Sequence, residues 1–382
     1  MAKKLLTAHI ITGLYTGGAE MMLYNLLSKT NRDRFNPMVI SLMNRGTLSD
    51  RIEALGVPVY TIGMNPGQVP NPSILLRLLN TINHYQPDLL QGWMYQGNIA
   101  AWFASIFSYK KVPVVWDVQH SITGLKHEKK MTQSLIKFGV GVSKSVSQVV
   151  FASGNSKAQH EALGYNKNNA CVIPNGFDIS CFKPSSEARL KFRNELGLSD
   201  DAFLIGLICR YHPMKDHNNF LEAAAILQKS HPDVHYVLVG RQVDWKNDAL
   251  RQRVKELNLT NIHLLGERSD ISVITPALDI ASSSSAYGEA FPMIAGEAMS
   301  CAVPCVVTDV GDSGWAVADT GKVVPPRNPE ALAFAWKQII EMSPEARKAL
   351  GESARNRVLE LFALDTVVNK FESLYEQVLA QY

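Results

Sequence analysis

Three stretches of this 382-residue chain carry side chains suited to holding an anionic ligand. In C-R-Y-H-P-M-K-D-H, residues 209–217, Arg210 and Lys215 place two cations in one short segment. A diphosphate could take a bidentate guanidinium contact and an ammonium contact there, although a pair of solvated surface cations is the bland alternative. In S-A-Y-G-E-A-F-P-M-I-A-G-E-A-M, residues 285–299, Glu289 and Glu297 lie eight apart, and Pro292 suits the first position of a helix. Spread over a loop and a helix, the two carboxylates are better placed to read different hydroxyls of one ligand than to work as a paired acid and base. The turn at 288–290 and the helix start at Phe291 and Pro292 present backbone N–H groups. The third stretch, T-G-L-Y-T-G-G-A-E at 12–20, brings Gly13, Gly17 and Gly18 to a strand-to-helix turn. Glycine lets backbone approach a ligand closely, and the helix N-terminus behind it favours phosphate.

Other chemistries are missing. A dinucleotide site wants G-x-G-x-x-G and an acidic residue about 20 positions on, whereas the spacing here is G-x3-G-G and the second strand ends near Ser41 and Leu42. That argues against a nicotinamide dehydrogenase. No Walker motif is present, and no Asp-x-Asp cluster stands at a strand end to hold a metal, so neither cofactor nor metal is expected. The five cysteines form no CxxC pair, which fits reduced structural thiols. No signal-like leader and no apolar run of membrane-spanning length is found, the longest candidate, 99–107, being too short. The expectation is a cytoplasmic chain.

The elements that must position these loops alternate between short apolar strands and helical patterns, the signature of βαβ units with parallel sheets. LLTAHIIT, PMVISLM, VPVYTIG, PDLLQGWM and VPVVWDVQ are the strands of a first domain. After the turn-rich IPNGFDISCFKPSS the series restarts with FLIGLICR, VHYVLVG, IHLLG, ALDIASSS and CAVPCVVTDV. The chain beyond Glu330 is helical, and Val367, Val368, Phe371, Leu374, Val378 and Leu379 line one face of a final helix. The length predicts two domains, taken as 1–175 with the helix 365–382, and 176–364. In such folds ligands bind at the carboxyl ends of the strands, where all three stretches fall. His120, after VVWDVQ, falls at another strand end.

Charge divides unevenly along the chain. Residues 1–175 carry 17 Lys/Arg against 8 Asp/Glu, and residues 176–382 carry 21 against 27. Lys110, Lys111, Lys126, Lys129, Lys130 and Lys137 have only Asp117 and Glu128 as acidic company in their segment. A solvated basic face and a surface turned to an anion or an anionic membrane are equally open readings. No nucleic-acid partner is expected.

The order of G-G loop, R-x4-K loop and E-A-F-P-M-x3-E-A-M, with IPNGFD at 173–178 and GERSD at 266–270, resembles the retaining glycosyltransferases of family 4 over almost the whole chain. The resemblance implies the α/β GT-B fold, two Rossmann-like doubly wound domains facing a central cleft, with the C-terminal helix crossing back to the N-terminal domain. It implies transfer of a sugar from a nucleotide-diphosphate donor without a metal. By position, Arg210 and Lys215 would hold the diphosphate, Glu297 the ribose and Glu289 the transferred sugar, with Phe291, Pro292 and Met293 following it. Arg268 would lie in the loop for the base, Gly17 and Gly18 would approach the diphosphate, and His120 would lie near the reacting centre. DLLQGWMYQGNIAAW and VVWDVQHSITGLKHEKKMT are similar to members that build bacterial surface polysaccharides, implying a UDP-sugar donor and a glycan or lipid-linked acceptor. The chain departs from many relatives in having Gly314 and Trp315 where a glutamate follows T-D-x-G-G. A sugar-nucleotide epimerase of the same fold and a non-catalytic sugar-nucleotide-binding partner of another transferase are the alternatives.

Overall fold

A computed structural model describes residues 3–382 except 69 and 123. The first sheet is built from β1 (Leu5–Ile11), β2 (Phe35–Met43), β3 (Val59–Met64), β4 (Leu89–Trp93), β5 (Val114–Val118), β6 (Gln148–Phe151) and β7 (Ala170–Val172). The second is built from β8 (Leu204–Ile208), β9 (His235–Val239), β10 (Ile262–Leu264), β11 (Ile280–Ser283), β12 (Cys305–Thr308) and β13 (Lys322–Val324). Their orders are β3-β2-β1-β4-β5-β6-β7 and β10-β9-β8-β11-β12-β13, with every pairing parallel. Helices cover both faces of such sheets, so their strands are buried on both sides and read as near-continuous apolar runs. LIGLI of β8 and VVWDV of β5 are of this kind.

The chain divides into two compact units, Met1–Gly176 with Leu364–Tyr382, and Phe177–Ala363. Each sheet is the floor of its own unit's apolar core. In each sheet the strand order reverses once, between β1 and β4 and between β8 and β11. Connections leave the two central strands toward opposite faces there, opening a crevice at their carboxyl ends. The loops after β8 and β11 are those of Arg210 with Lys215 and of Glu289, so these residues flank the reversal of the second sheet.

The final helix, Leu364–Gln381, belongs to the first unit. Val367, Val368, Phe371, Tyr375 and Val378 are buried in one cluster with Ile11, Leu23, Trp93, Val115 and Val150. Polar contacts fix its register: Glu372 Oε1 accepts from Asn31 N at 2.7 Å, Arg34 pairs with Glu372 at 3.1 Å and with Glu376, and the Tyr375 hydroxyl donates to Gln91.

Candidate functional site

The loop after β8 is shaped by local capping. His212 accepts from Met214 N at 3.2 Å and opens a single 3-10 turn, Pro213–Lys215, and Asp216 then caps the helix His217–Gln228 by accepting from Asn219 N. This loop is tied to the one after β11: Ala286 N donates to Met214 O at 2.8 Å, and Ser284 Oγ reaches the carbonyls of Lys215 and Asp216 at 2.8 and 3.1 Å. The ties bring together side chains 74 residues apart. Lys215 Nζ lies 2.6 Å from Glu289 Oε2, which also accepts from Ser285 Oγ at 3.0 Å. Burial works against the Lys215 ammonium, but the Glu289 carboxylate outweighs it and holds the group above its ordinary pKa. Lys215 is therefore not the exposed cation that its loop position suggests; its side chain is 18% exposed and paired. Arg210 is exposed, and no described residue pairs with its guanidinium.

A third loop closes over Glu289 from β12. Asp312 N donates to Ala290 O at 3.0 Å, and Gly311 has φ of +60° with its Cα so close that a Cβ would sit 1.8 Å from Glu289 O. Only glycine fits there, by both conformation and space. Sequence reading missed Ser285 and Gly311; the Gly of T-D-V-G was the available signal. The helix after the Glu289 loop is Met293–Ser300, so Pro292 caps it in extended conformation and is not its first residue. Having no N–H, Pro292 donates nothing to a ligand, and amide donation from this turn falls to its neighbours, Phe291 and Met293 among them. Trp315, after β12, is 46% exposed, and the Arg357 guanidinium lies 5.8 Å from its ring centre.

Glu297, one turn into that helix, is half-buried, and no described group hydrogen-bonds to its carboxyl. Burial pushes its pKa up to about 8. Near pH 4 folded and unfolded chains both hold the proton; as pH rises toward 8 the unfolded chain ionises while the folded one keeps it, so stability falls across that window. Glu297→Gln removes the loss. The variant is expected to be more stable than wild type at pH 8 by about 1 kcal/mol, allowing for partial exposure, or roughly 2–4 °C in melting temperature, with no difference near pH 4. If the carboxylate serves ribose hydroxyls, the same variant binds UDP more weakly; equal melting at pH 8 with unchanged UDP affinity removes Glu297 from the site.

Arg268 is engaged by carboxylates. Its guanidinium pairs with Asp270 at 2.7 Å and with Glu195 at 2.5 Å, from the helix Ser186–Glu195. Contact of this loop with a base would then come through backbone or through exchange of those partners.

In the first unit the helix Gly18–Lys29 begins after β1 with Gly17 as its cap. Gly17 is in extended conformation, and a Cβ there would meet the Glu20 carboxylate at 2.4 Å, so that carboxylate already lies over the turn where an anion would bind. His120 follows β5. Its Nε2 hydrogen-bonds Glu128 Oε1 at 2.8 Å, and its carbonyl accepts from Ser156 Oγ at 2.6 Å. Tyr95 meets it edge-on with ring centres 6.2 Å apart. Burial lowers the pKa of His160 to about 4, leaving it neutral. With its Nδ1 proton directed to Ser156 O at 2.7 Å, its Nε2 accepts from the Tyr95 hydroxyl at 2.9 Å. Glu128, Ser156 and His160 were not singled out in the sequence, since nothing in their spacing links them to His120. Among the described residues no three His, Cys, Asp or Glu side chains group as metal ligands.

Two family models match, Glycosyltransferase Family 4 over residues 16–180 and Glycosyl transferases group 1 over residues 188–357. The UDP-Gal:alpha-D-GlcNAc-diphosphoundecaprenol alpha-1,3-galactosyltransferase of Escherichia coli is 24% identical over 339 residues, covering 86% of this chain and 84% of that one. N-acetyl-alpha-D-glucosaminyl L-malate synthase of Bacillus anthracis is 25% identical over 284 residues, 74% and 72% of the two chains. The crystal structure of Anabaena HepE with UDP-glucose superposes with a TM-score of 0.86 at 23% identity, covering 98% of this chain and all of that one. The GT-B fold, two doubly wound parallel sheets, is thus shared with that structure, and with the two family models together spanning most of its length the chain belongs to the family 4 glycosyltransferases.

Proposed function

We propose that this glycosyltransferase moves a sugar from UDP to a glycan or lipid-linked acceptor in polysaccharide or glycoconjugate synthesis, in the cytoplasm, with retention of anomeric configuration and without a metal. The observation that carries the reading is the convergence of Arg210, Lys215 and Glu289 at the order reversal of the second sheet. UDP as the nucleotide is supported by the relative named for UDP-Gal and by the neighbour holding UDP-glucose. Five unpaired cysteines suit a reducing compartment.

Breaking the bond between the anomeric carbon and the diphosphate oxygen moves negative charge onto the leaving group. Arg210 has a free fork for two phosphate oxygens, and Lys215 can exchange Glu289 for a third. Once Lys215 turns to phosphate, Glu289 keeps its Ser285 bond and is left to accept from hydroxyls of the sugar. The acceptor oxygen attacks on the face the diphosphate leaves, and its proton passes to the departing phosphate oxygen, so no side-chain nucleophile is required. Thermal shifts with a panel of nucleotide sugars test the donor, and a UDP-sugar should raise the melting temperature above other nucleotides. NMR of the product reads the anomeric configuration; an inverted product overturns the retaining assignment.

Because protein cations supply the charge stabilisation in this reading, turnover is expected to survive EDTA within about twofold. Abolition by the chelator, with recovery on adding magnesium or manganese, would reveal a metal requirement.

A further inference from the structure

The loop after β5 holds His120 from three sides and leaves one ring nitrogen without a described partner. Its backbone is tied to the helix Gly154–Ala162: the His120 carbonyl accepts from Ser156 Oγ at 2.6 Å, and Ile122 N donates to Gln159 Oε1 at 2.7 Å. The imidazole meets the Tyr95 ring at an interplanar angle of 87°, and Tyr95 is itself fixed by its hydroxyl bond to His160 Nε2 at 2.9 Å. The third support is Glu128, whose Oε1 lies 2.8 Å from His120 Nε2. The two side chains are only 20% and 16% exposed, so water competes weakly for this bond. No described residue hydrogen-bonds His120 Nδ1.

Glu128 reaches the ring from a segment anchored on its own account. Its N–H donates to Leu125 O at 3.1 Å, closing the 3-10 turn Leu125–His127. Its carbonyl accepts from Gln133 Nε2 at 2.8 Å, at the start of the helix Lys130–Val142. A stitch between positions 120 and 128 would be made as well by a lysine or an arginine. An imidazole adds a second nitrogen, and that nitrogen belongs to a loop at the carboxyl end of a parallel strand, where such folds bind their ligands.

The carboxylate decides what the second nitrogen can do. An ionised carboxylate only accepts, so Nε2 donates to it and carries a proton. In the neutral ring Nδ1 is then left as an acceptor, because the tautomer is set by the hydrogen bond that the other nitrogen makes. A nitrogen lone pair takes a proton from a hydroxyl, whereas an ionised phosphate or carboxylate offers it none.

We infer that Glu128 is a positioning residue for the transfer: it keeps the His120 proton on Nε2 and so presents Nδ1 to a hydroxyl of the bound sugar or of the acceptor. The kinetic side of this rests on the proposed transfer reaction; the tautomer is a property of the resting enzyme.

The tautomer is read from long-range proton–nitrogen NMR spectra of the full chain with isotope-labelled histidine, taken at about pH 8.5, where an ordinary imidazole is neutral. His120 is assigned by the signals that His120→Gln removes. Wild type is expected to show the Nε2–H tautomer alone, and Glu128→Ala a mixture with the Nδ1–H form. Glu128→Gln, whose amide can accept or donate, falls between them. The turnover number follows the same order, dropping about ten- to a hundredfold in Glu128→Ala, the range for loss of a group that orients another, and less in Glu128→Gln. UDP raises the melting temperature of both variants as it does for wild type, since the diphosphate groups are untouched. A stitch without a positioning role would lower the melting temperature and leave the turnover number unchanged. Slow hydrolysis of the UDP-sugar in the absence of acceptor separates the two sources of the hydroxyl: it falls along with transfer if the hydroxyl is the donor sugar's, and keeps its wild-type rate if it is the acceptor's. An Nδ1–H tautomer in wild type, an unchanged tautomer in Glu128→Ala, or a wild-type turnover number in Glu128→Ala overturns the inference. Wild-type turnover in His120→Ala overturns it too, by removing His120 from the reaction. A wild-type chain that transfers from no nucleotide sugar would instead refute the transfer reading, and the spectra would still decide whether Glu128 sets the ring.

Discussion

Lys215→Ala is expected to lower turnover about a hundredfold or more, the scale on which removal of one preorganised charge-stabilising group acts. The ammonium is held 2.6 Å from Glu289 by a turn whose ends are capped and whose carbonyls are tied by Ser284 and Ala286. Little reorganisation is then needed to present it to phosphate. The pairing adds a second consequence. Without Lys215, a carboxylate only 10% exposed keeps Ser285 as its partner, and an uncompensated charge of this kind is destabilising. Lys215→Ala is expected to cost about 1–2 kcal/mol in stability, and the double variant with Glu289→Gln regains most of it without regaining turnover. Steady-state rates and urea unfolding of the two variants decide the matter. Wild-type turnover in Lys215→Ala would refute the diphosphate role, and a double variant less stable than the single one would refute the pairing as the source of the loss.

What the sequence could and could not show follows from the range of the interactions involved. Apolar strands such as β8 announce themselves because burial on both faces leaves no polar position in them. Strands β6, β7 and β13, of four, three and three residues, present no legible run in the sequence, whereas the equally short β10 stands out in the apolar IHLLG. The helix Met94–Phe107 escaped for the opposite reason: Gly97, Ala100, Ala101 and Ala104 are buried, Trp102 and Phe103 are half-buried and Ile106 and Phe107 are exposed, so its apolar residues mark no single stripe. At the site, residue types and strand-end positions pointed to Arg210, Lys215 and Glu289. The Lys215–Glu289 pair is made by hydrogen bonds between two loops, which no local pattern encodes. Arg268 bound to Glu195, 73 positions away in the sequence, is of the same kind. The Tyr95–His160 bond likewise depends on a fold-level juxtaposition.

Deleting residues 364–382 is expected to abolish soluble expression of the first unit's fold rather than trim a peripheral helix. Six side chains of this helix, Leu364, Val367, Val368, Phe371, Tyr375 and Val378, are buried to 5% exposure or less. At about 1.5–3 kcal/mol for each buried apolar side chain, their loss is on the order of 10 kcal/mol, comparable to the whole stability of a typical domain. The truncation also uncovers Trp93, Leu23 and Phe35 on the remaining chain, an apolar surface of the kind that drives aggregation. Single substitutions grade the effect. Phe371→Ala should cost about 3–5 kcal/mol through the cavity it leaves beside Trp93, whose ring centre lies 6.4 Å away. Glu376→Ala removes an exposed partner of Arg34 and should change stability by less than about 1 kcal/mol. Soluble yield, exclusion chromatography and thermal unfolding of the three variants provide the comparison. A monomeric truncation that melts at the wild-type temperature would mean that the first unit closes its core without the helix.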